Sequence, residues 1–562
     1  MKLKIKIMTV SLAIVLFTGG CFKDKFDGML NNPNTPTPES ADADLYLSEA
    51  QLNFANFFNT ASSIGMQLTR YFVMFGPTYI NAYSPQTFDG IWSTAYTGVI
   101  KHANALIPIA ESQRKFVNVG MAKIMKAYTL MTLVDMFGDI PYIEANKGFD
   151  NTNPALTNGK LVYDSVIVLL DQAIADLNKT PGSYPGTQDL FYNASNAQGA
   201  AKWRKFAKTL KLRVYLQTRL VDNTAGTKIT ALVNEGDIIL SAADDFEFKY
   251  SSKQANPNSR HPRYNGNYTA ARSAGDYLGT YFLWTMVNEK GISSNIPAND
   301  QSDPRRRYYF YRQRTNYADV NENSASCAFA AAPAHYPATM PYCLLQQGYW
   351  GRDHGDGSGI PPDGNLRTTV GVYPFGGEFD ANQGSSVTLT MGGKGAGIQP
   401  IWQSSYTDFL LAEAVLTLSV PGDARSLLLS GVNKSITKVM AFPATIGVTP
   451  LANFVPTATQ ISNYTTKVEN LYNNATNTDQ RMEVLGKEFY IALWGNGVDA
   501  YNTYRRTGKP GNMQLTRLAS PGSYIRSHYY PSSYVNRNLN AKQKTAVNLK
   551  VFWDTNPDNF IR

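Results

Sequence analysis

Charge is scarce in this chain: only 17% of its 562 residues are Asp, Glu, Lys or Arg. No dense run of Lys and Arg interleaved with aromatics occurs, so the electrostatic footprint of a nucleic-acid-binding surface is missing. Histidine is rare, and the five present (His102, His261, His335, His354 and His528) are scattered, none beside an obvious nucleophile. Gly-x-Ser-x-Gly, His-Glu-x-x-His and phosphate-loop patterns are all absent, which removes the usual signatures of hydrolase, metalloprotease and nucleotide chemistry. A carboxylate pair for glycoside cleavage leaves no such local signature. Past Cys21 no apolar stretch is long enough to span a bilayer.

The chain is rich instead in Tyr (34 residues) and Gly (43 residues), with frequent Asn. Few charges beside many aromatic and amide groups suit a surface that meets polar, uncharged ligands, and equally a large Tyr-rich core. Its N-terminus reads as an export leader: Lys2, Lys4 and Lys6, then the short apolar stretch from Met8 to Phe17, then Thr18-Gly19-Gly20 before Cys21. Small residues directly before a cysteine resemble the lipobox of bacterial lipoproteins, where cleavage precedes a lipid-carrying Cys. The other reading is an ordinary signal peptide with an incidental Cys. Removing the leader takes away three lysines and no acids, lowering the net charge from +9 to +6, a weak field for so large a body. The Pro-rich segment Asn31 to Pro38 forbids helix and suits a tether between a lipid surface and a folded body. The expected organisation is a leader over 1–20, a lipidated tether over 21–40, and one domain over 41–562.

Cys327 and Cys343 fall in one loop-like region of an exported chain. A disulfide would staple that loop; two separate thiols are the alternative.

Apolar periodicity predicts helices in the first half. Trp92, Tyr96, Val99, Ala103 and Leu106 recur at helical spacing. The stretch from Gly120 to Phe137 is apolar nearly all round, so it should be buried. Tyr163, Val166, Ile167, Leu170, Ala173, Ile174 and Leu177 form an amphipathic stripe stopped by Pro181-Gly182. Trp203, Phe206, Ala207, Leu210 and Val214 form another, with Lys202, Lys205, Lys208 and Lys211 as its solvated side. From about 244 to 399 the chain is rich in Gly, Pro, Asn and Tyr with little period; loops this long in a compact protein are usually functional or disordered, and the aromatics argue against disorder. Helical signal returns at Tyr406 to Leu418 and Gln480 to Trp494, and the tail from Gly495 reads as irregular. The helical scaffold is therefore expected mainly over 41–240 and 400–495.

Several stretches in order resemble the SusD/RagB family of outer-membrane lipoproteins. They are Asn32-Pro33-Asn34; Trp92 and Tyr96 leading to Ala103-Asn104; Lys126-Ala127-Tyr128 through Phe137-Gly138-Asp139-Ile140-Pro141-Tyr142; Trp203-Arg204-Lys205-Phe206-Ala207; Asp303-Pro304-Arg305; Leu411-Ala412-Glu413-Ala414; Glu488; and Tyr504-Arg505-Arg506-Thr507-Gly508. The resemblance covers essentially the whole chain. It implies a mainly α fold, with tetratricopeptide-like hairpins forming a right-handed superhelix and a loop-rich half that faces ligand. It also implies a surface nutrient-binding protein, not an enzyme, that captures oligosaccharide or peptide and delivers it to a SusC-like TonB-dependent transporter barrel in the outer membrane. A surface glycosidase or peptidase, and a structural adhesin, are the other classes open to a chain of this composition.

Within the motifs, Gly138 fits a left-handed helix cap and Pro141 a following turn. Arg505 and Arg506 suit a lock on buried acids such as Glu488 or Glu413. Asp353, Asp356 and Asp363 on a Gly-rich loop have the oxygen chemistry of a calcium site, although Gly364 stands where an EF-hand would need its closing Glu; otherwise no cofactor is required. Two loops offer aromatic platforms with amides and charges for a sugar: one with Tyr79, Asn81 and Tyr83, the other with Tyr349, Trp350 and Arg352; the alternative for Tyr79, Tyr83, Tyr349 and Trp350 is that they merely pack the loops down. The family draws its binding side from an early interhelical loop and the middle region, which suits this pair.

Overall fold

The computed structural model describes residues 42–269, 276–316, 326–357 and 366–562. The leader, Cys21, the tether and Asp363 lie outside them. The longer helices are α1 (Ala43–Leu68), α2 (Lys101–Ser112), α3 (Phe116–Phe137), α4 (Gly159–Leu177), α5 (Ala197–Gln217) and α6 (Ala225–Glu235) in the first half. After a short α7 (Thr280–Val287) come α8 (Ser404–Leu418), α9 (Ala424–Thr445), α10 (Ala458–Asn474), α11 (Thr478–Ala492) and α12 (Gly497–Thr507). Consecutive helices pack on one another, α2 on α3, α3 on α4, α4 on α5 and α5 on α6, then α8 on α9, α9 on α10 and α10 on α11; α8 also meets α5 and α6, which joins the two runs. Stacked antiparallel hairpins are what amphipathic helices with short breaks produce.

The sequence signals act where expected. Helix α3 is buried on nearly every side. Helix α4 buries Val162, Tyr163, Val166, Leu170, Ala173 and Leu177, and Asn158 caps it by accepting the Lys160 N–H. The helix from Trp92 contains a π-helical stretch, Thr94–Ile100, before α2. Gly138 ends α3 with φ +76°, but its ψ of −120° is not left-handed helical, so the chain leaves α3 extended. That exit feeds β1 (Ile140–Pro141), paired antiparallel with β2 (Leu156–Thr157).

Two further corrections concern the sequence reading. Helix α12 lies in the tail read as irregular. The lysines of α5 are paired rather than simply solvated: Lys205 with Asp244 (2.7 Å), Lys208 with Glu235 (2.8 Å) and Lys211 with Asp171 (2.6 Å). Arg506 locks Glu413, one of the two acids the sequence suggested, with Nε donating to Oε1 (2.7 Å) and Nη2 to Oε2 (2.8 Å). Although burial opposes it, Arg506 and Arg219 hold the Glu413 carboxyl below its usual range. Glu488 is taken by Lys290 (3.0 Å) and Arg305 (3.2 Å).

The middle region is mostly loop, with β3 (Phe246–Lys249) antiparallel to β6 (Ile398–Trp402) and β4 (Phe310–Arg312) antiparallel to β5 (Thr368–Val370).

Candidate functional site

Three distant segments join beside the end of α1. The Val73 N–H donates to the Tyr277 carbonyl (2.9 Å), the Gly279 N–H to the Tyr71 carbonyl (2.9 Å), and the Arg352 N–H to the Leu278 carbonyl (2.8 Å). Residues 71–73, 277–279 and 350–352 therefore lie side by side, which brings the early loop and the middle loop together. Two glycines permit the approach: a Cβ on Gly279 would stand 2.1 Å from the Arg70 carbonyl oxygen, and one on Gly351 2.1 Å from that of Leu278.

On this ladder stands a short column of rings. Trp350 is at the base, 1% exposed, packed with Val73, Tyr277 and Leu366 and against Leu344. Tyr277 meets Trp350 edge to face at 6.0 Å, and Phe75 meets Tyr277 the same way at 6.2 Å. The Arg352 guanidinium lies 4.5 Å from the Tyr277 ring centre and 5.4 Å from that of Phe75. Phe75 caps the column and is 48% exposed. An exposed ring braced by buried ones is a platform whose position is fixed before any ligand arrives.

Beside the platform, Arg70 pins the loop ends. Its Nη1 donates to the Leu68 carbonyl (2.7 Å), its Nε to the Gln514 carbonyl (3.1 Å) and its Nη2 to the Tyr79 hydroxyl (3.2 Å). The Tyr79 hydroxyl also meets His354 Nε2 at 3.2 Å. Burial, reinforced by Arg70, pushes the His354 pKa well below its ordinary value, so the ring is neutral. Tyr79 further lines a cleft of about 500 Å³ with Tyr504, Lys509, Pro521, Tyr524 and Phe560.

Cys327 and Cys343 are bonded, with Cα atoms 5.8 Å apart. The loop they close is tied to the 514–517 segment: His335 Nε2 lies 2.9 Å from the Thr516 carbonyl, and the Tyr336 hydroxyl donates to that of Leu515 (2.9 Å). Arg517 extends from this segment to Asp356 (3.1 Å) and lies 6.0 Å from the half-buried Tyr342 ring.

The sequence-selected residues divide. Both loops do converge, and Asn81 is exposed, its amide donating to Thr78 Oγ1 (3.2 Å). Tyr83 is half-buried, with its hydroxyl donating to Gln67 Oε1 (2.8 Å) and its ring against Phe88 and His528. Tyr79 and Arg352 are buried supports rather than contact surfaces. Tyr349 and Trp350 are corrected: neither presents a face to solvent. Tyr349 is stacked under the Arg312 and Arg306 guanidiniums at 4.7 and 5.2 Å, and Trp350 is the base of the column. Phe75, two residues before the selected early loop, went unread because exposure has no local sequence signal.

Of the three acids in the calcium reading, Asp363 lies outside the described residues and the other two are engaged with protein groups. Asp353 is buried and accepts the Cys343 N–H (3.1 Å) and Gln514 Nε2 (2.7 Å), while Asp356 is paired with Arg517. Burial pushes the Asp353 carboxyl up to about 6. Among the described residues no group of three or more His, Cys, Asp or Glu is placed to hold a metal ion.

Comparison with known proteins supplies the context. The sequence profile described as "Starch-binding associating with outer membrane" matches residues 33–339, and that described as "Susd and RagB outer membrane lipoprotein" matches residues 396–554. No curated protein matches the chain. Among solved structures, a SusD/RagB family protein from Bacteroides thetaiotaomicron is similar, with 21% identity, a TM-score of 0.63, and 92% of this chain and 100% of that one covered. A chitin-binding protein gives 19% identity and the same TM-score of 0.63, with 92% and 100% covered. A chitin-binding SusD homolog from Flavobacterium johnsoniae gives 18% identity and a TM-score of 0.58, with 91% and 99% covered.

Proposed function

Because the chain belongs to the SusD/RagB family of outer-membrane lipoproteins, we propose that it captures a glycan at the cell surface on the platform topped by Phe75. A sugar ring offers an apolar C–H face and a rim of hydroxyls. The half-exposed Phe75 ring suits the face, while Asn81 and Arg517, the latter held by Asp356, stand on the adjoining loops as hydrogen-bonding groups. The braced column beneath Phe75 is the observation that carries this reading, and the chitin-binding relatives agree with it.

The protein binds without turnover and passes its ligand to a TonB-dependent barrel. An acylated Cys21 holds it to the outer membrane, more than one acyl chain being needed for durable attachment.

The test is calorimetric titration of the mature protein with chitin-, starch- and xylan-derived oligosaccharides and a peptide panel, followed by mass spectrometry of the recovered ligand. One oligosaccharide class should bind and be recovered intact. Cleavage of any ligand, or binding of peptides alone, contradicts the reading. Cys21→Ala should be exported yet leave the membrane fraction when no barrel is co-expressed, and the intact lipoprotein should bring a large β-barrel through gentle affinity purification. Membrane retention of Cys21→Ala contradicts the anchor, and recovery of the intact protein only as a free monomer contradicts the partnership.

A further inference from the structure

A second concavity shares no lining residue with the platform or the Tyr79 cleft. It has a volume of about 440 Å³, within the range of small-molecule sites. Its wall is one face of β3. Phe246, on the other face, goes into the core, stacked on Phe191 at 4.4 Å and on Phe206 at 3.9 Å. Glu247 and Lys249 alternate with Phe246 and, with Asp245 just before the strand, line the cavity.

The facing wall is the last turns of α9. Lys438, Ala441, Phe442 and Thr445 recur at the spacing of one helix face and line the same space. Lys438 Nζ is shared by the Asp245 carboxylate (3.1 Å) and the Glu247 carboxylate. Asp245 also accepts the Ser404 N–H (2.7 Å). Two carboxylates here share one ammonium, and spare acceptor lone pairs remain on the wall. Half-exposed rings border the opening: Tyr192, whose hydroxyl donates to the Asp244 carbonyl (2.7 Å), and Tyr250, whose hydroxyl accepts from Gln399 Nε2 (2.6 Å).

We propose that this cavity is a second carbohydrate-binding site, sized for a mono- or disaccharide. Ligand hydroxyls donate to Asp245 and Glu247, the apolar ring face lies on Tyr192 or Tyr250, and Lys249 at the rim meets ring or substituent oxygens. Aromatic faces beside charged acceptors are the chemistry that recognises a polyol, and a purely structural salt bridge would not need the open volume in front of it. The proposal shares its ligand class with the platform reading but stands on different residues.

The experiment uses the mature protein with N,N′-diacetylchitobiose, maltose and digalacturonate, read by calorimetric stoichiometry and saturation-transfer NMR. Phe75→Ala removes the platform, and Ala441→Trp fills the cavity from an exposed helix position. Glu247→Gln removes an acceptor charge while keeping the shape. At least one probe should bind the Phe75→Ala protein, and combining that change with Ala441→Trp or Glu247→Gln should weaken it at least tenfold; the exposed Ala441→Trp change should do so with the melting temperature unchanged. If Phe75→Ala abolishes all binding, the cavity proposal fails and the platform stands. Binding lost only through Ala441→Trp upholds the cavity and refutes the platform. If every probe binds the Ala441→Trp and Glu247→Gln proteins as it binds the parent, or none binds at all, the cavity is not a sugar site.

Discussion

Phe75 and Trp350 belong to one column of rings, yet replacing them should have opposite consequences. Phe75 is 48% exposed. Fully burying a Phe side chain stabilises by about 1.5–3 kcal/mol, so truncation to Ala at a half-exposed site costs roughly 1 kcal/mol of folding stability. In binding, truncating an aromatic anchor costs about 2 kcal/mol or more, roughly thirtyfold in affinity. Trp350 is 1% exposed and supports Tyr277, so Trp350→Ala leaves a cavity at a cost of about 3–5 kcal/mol. Its effect on affinity is indirect, through loosening of Tyr277 and Phe75. Thermal melts and calorimetry on both variants separate the roles. Phe75→Ala should lower its melting transition only slightly and lose affinity, whereas Trp350→Ala should melt clearly lower. Retained affinity in Phe75→Ala, combined with lost affinity and an unchanged melt in Trp350→Ala, would refute the reasoning and make Trp350 the contact residue.

Other consequences follow from buried polar groups. Arg506→Ala leaves the Glu413 carboxylate with only Arg219 in a buried setting, and should destabilise the fold by about 3–5 kcal/mol in urea titration; a change within 1 kcal/mol or so would remove the pair from the account. Burial raises the Asp353 carboxyl from 3.8 to about 6, so the folded state holds more protons between about pH 4 and pH 6. This group's contribution is fully present below about pH 4 and is lost as pH rises through about 6. Asp353→Asn keeps an acceptor for Gln514 without the charge, and should therefore gain on wild type by up to about 2–3 kcal/mol between pH 4 and pH 7; a pH-independent difference contradicts the argument. Replacing Cys327 and Cys343 together with Ser opens a loop 16 residues apart in sequence, and should cost about 3 kcal/mol and weaken glycan binding, because that loop braces the segment carrying Arg517. An unchanged melt and affinity would make the bridge incidental.

Much of the scaffold was legible because helices α3, α4, α5, α8 and α11 bury apolar side chains at regular spacing. Helix α12 was not: its sequence, Gly-Val-Asp-Ala-Tyr-Asn-Thr-Tyr-Arg-Arg-Thr, resembles a polar loop. It is buried through hydrogen bonds instead. Asn502 Nδ2 donates to Asp135 (2.7 Å), which also receives Trp553 Nε1 (3.0 Å), and Arg506 reaches Glu413. Its few apolar positions, Val498, Ala500, Tyr501 and Tyr504, sit among polar residues that are equally buried, so pattern reading misses it. The candidate site was legible by region and not by residue. Both loops were chosen for their aromatics, but the ladder joining 71–73, 277–279 and 350–352 depends on pairings 74 to 208 positions apart that no local pattern carries. Trp350 and Phe75 are equally aromatic in sequence; only packing decides which is base and which is surface.

Hydrogen–deuterium exchange of the mature protein, with and without a saturating oligosaccharide identified by the titration panel, tests the platform most directly. The account predicts new protection at backbone amides within 73–83 and 342–357, with the helical hairpins α3 to α6 unchanged. Protection confined to those hairpins, with both loops exchanging as in the free protein, would contradict it.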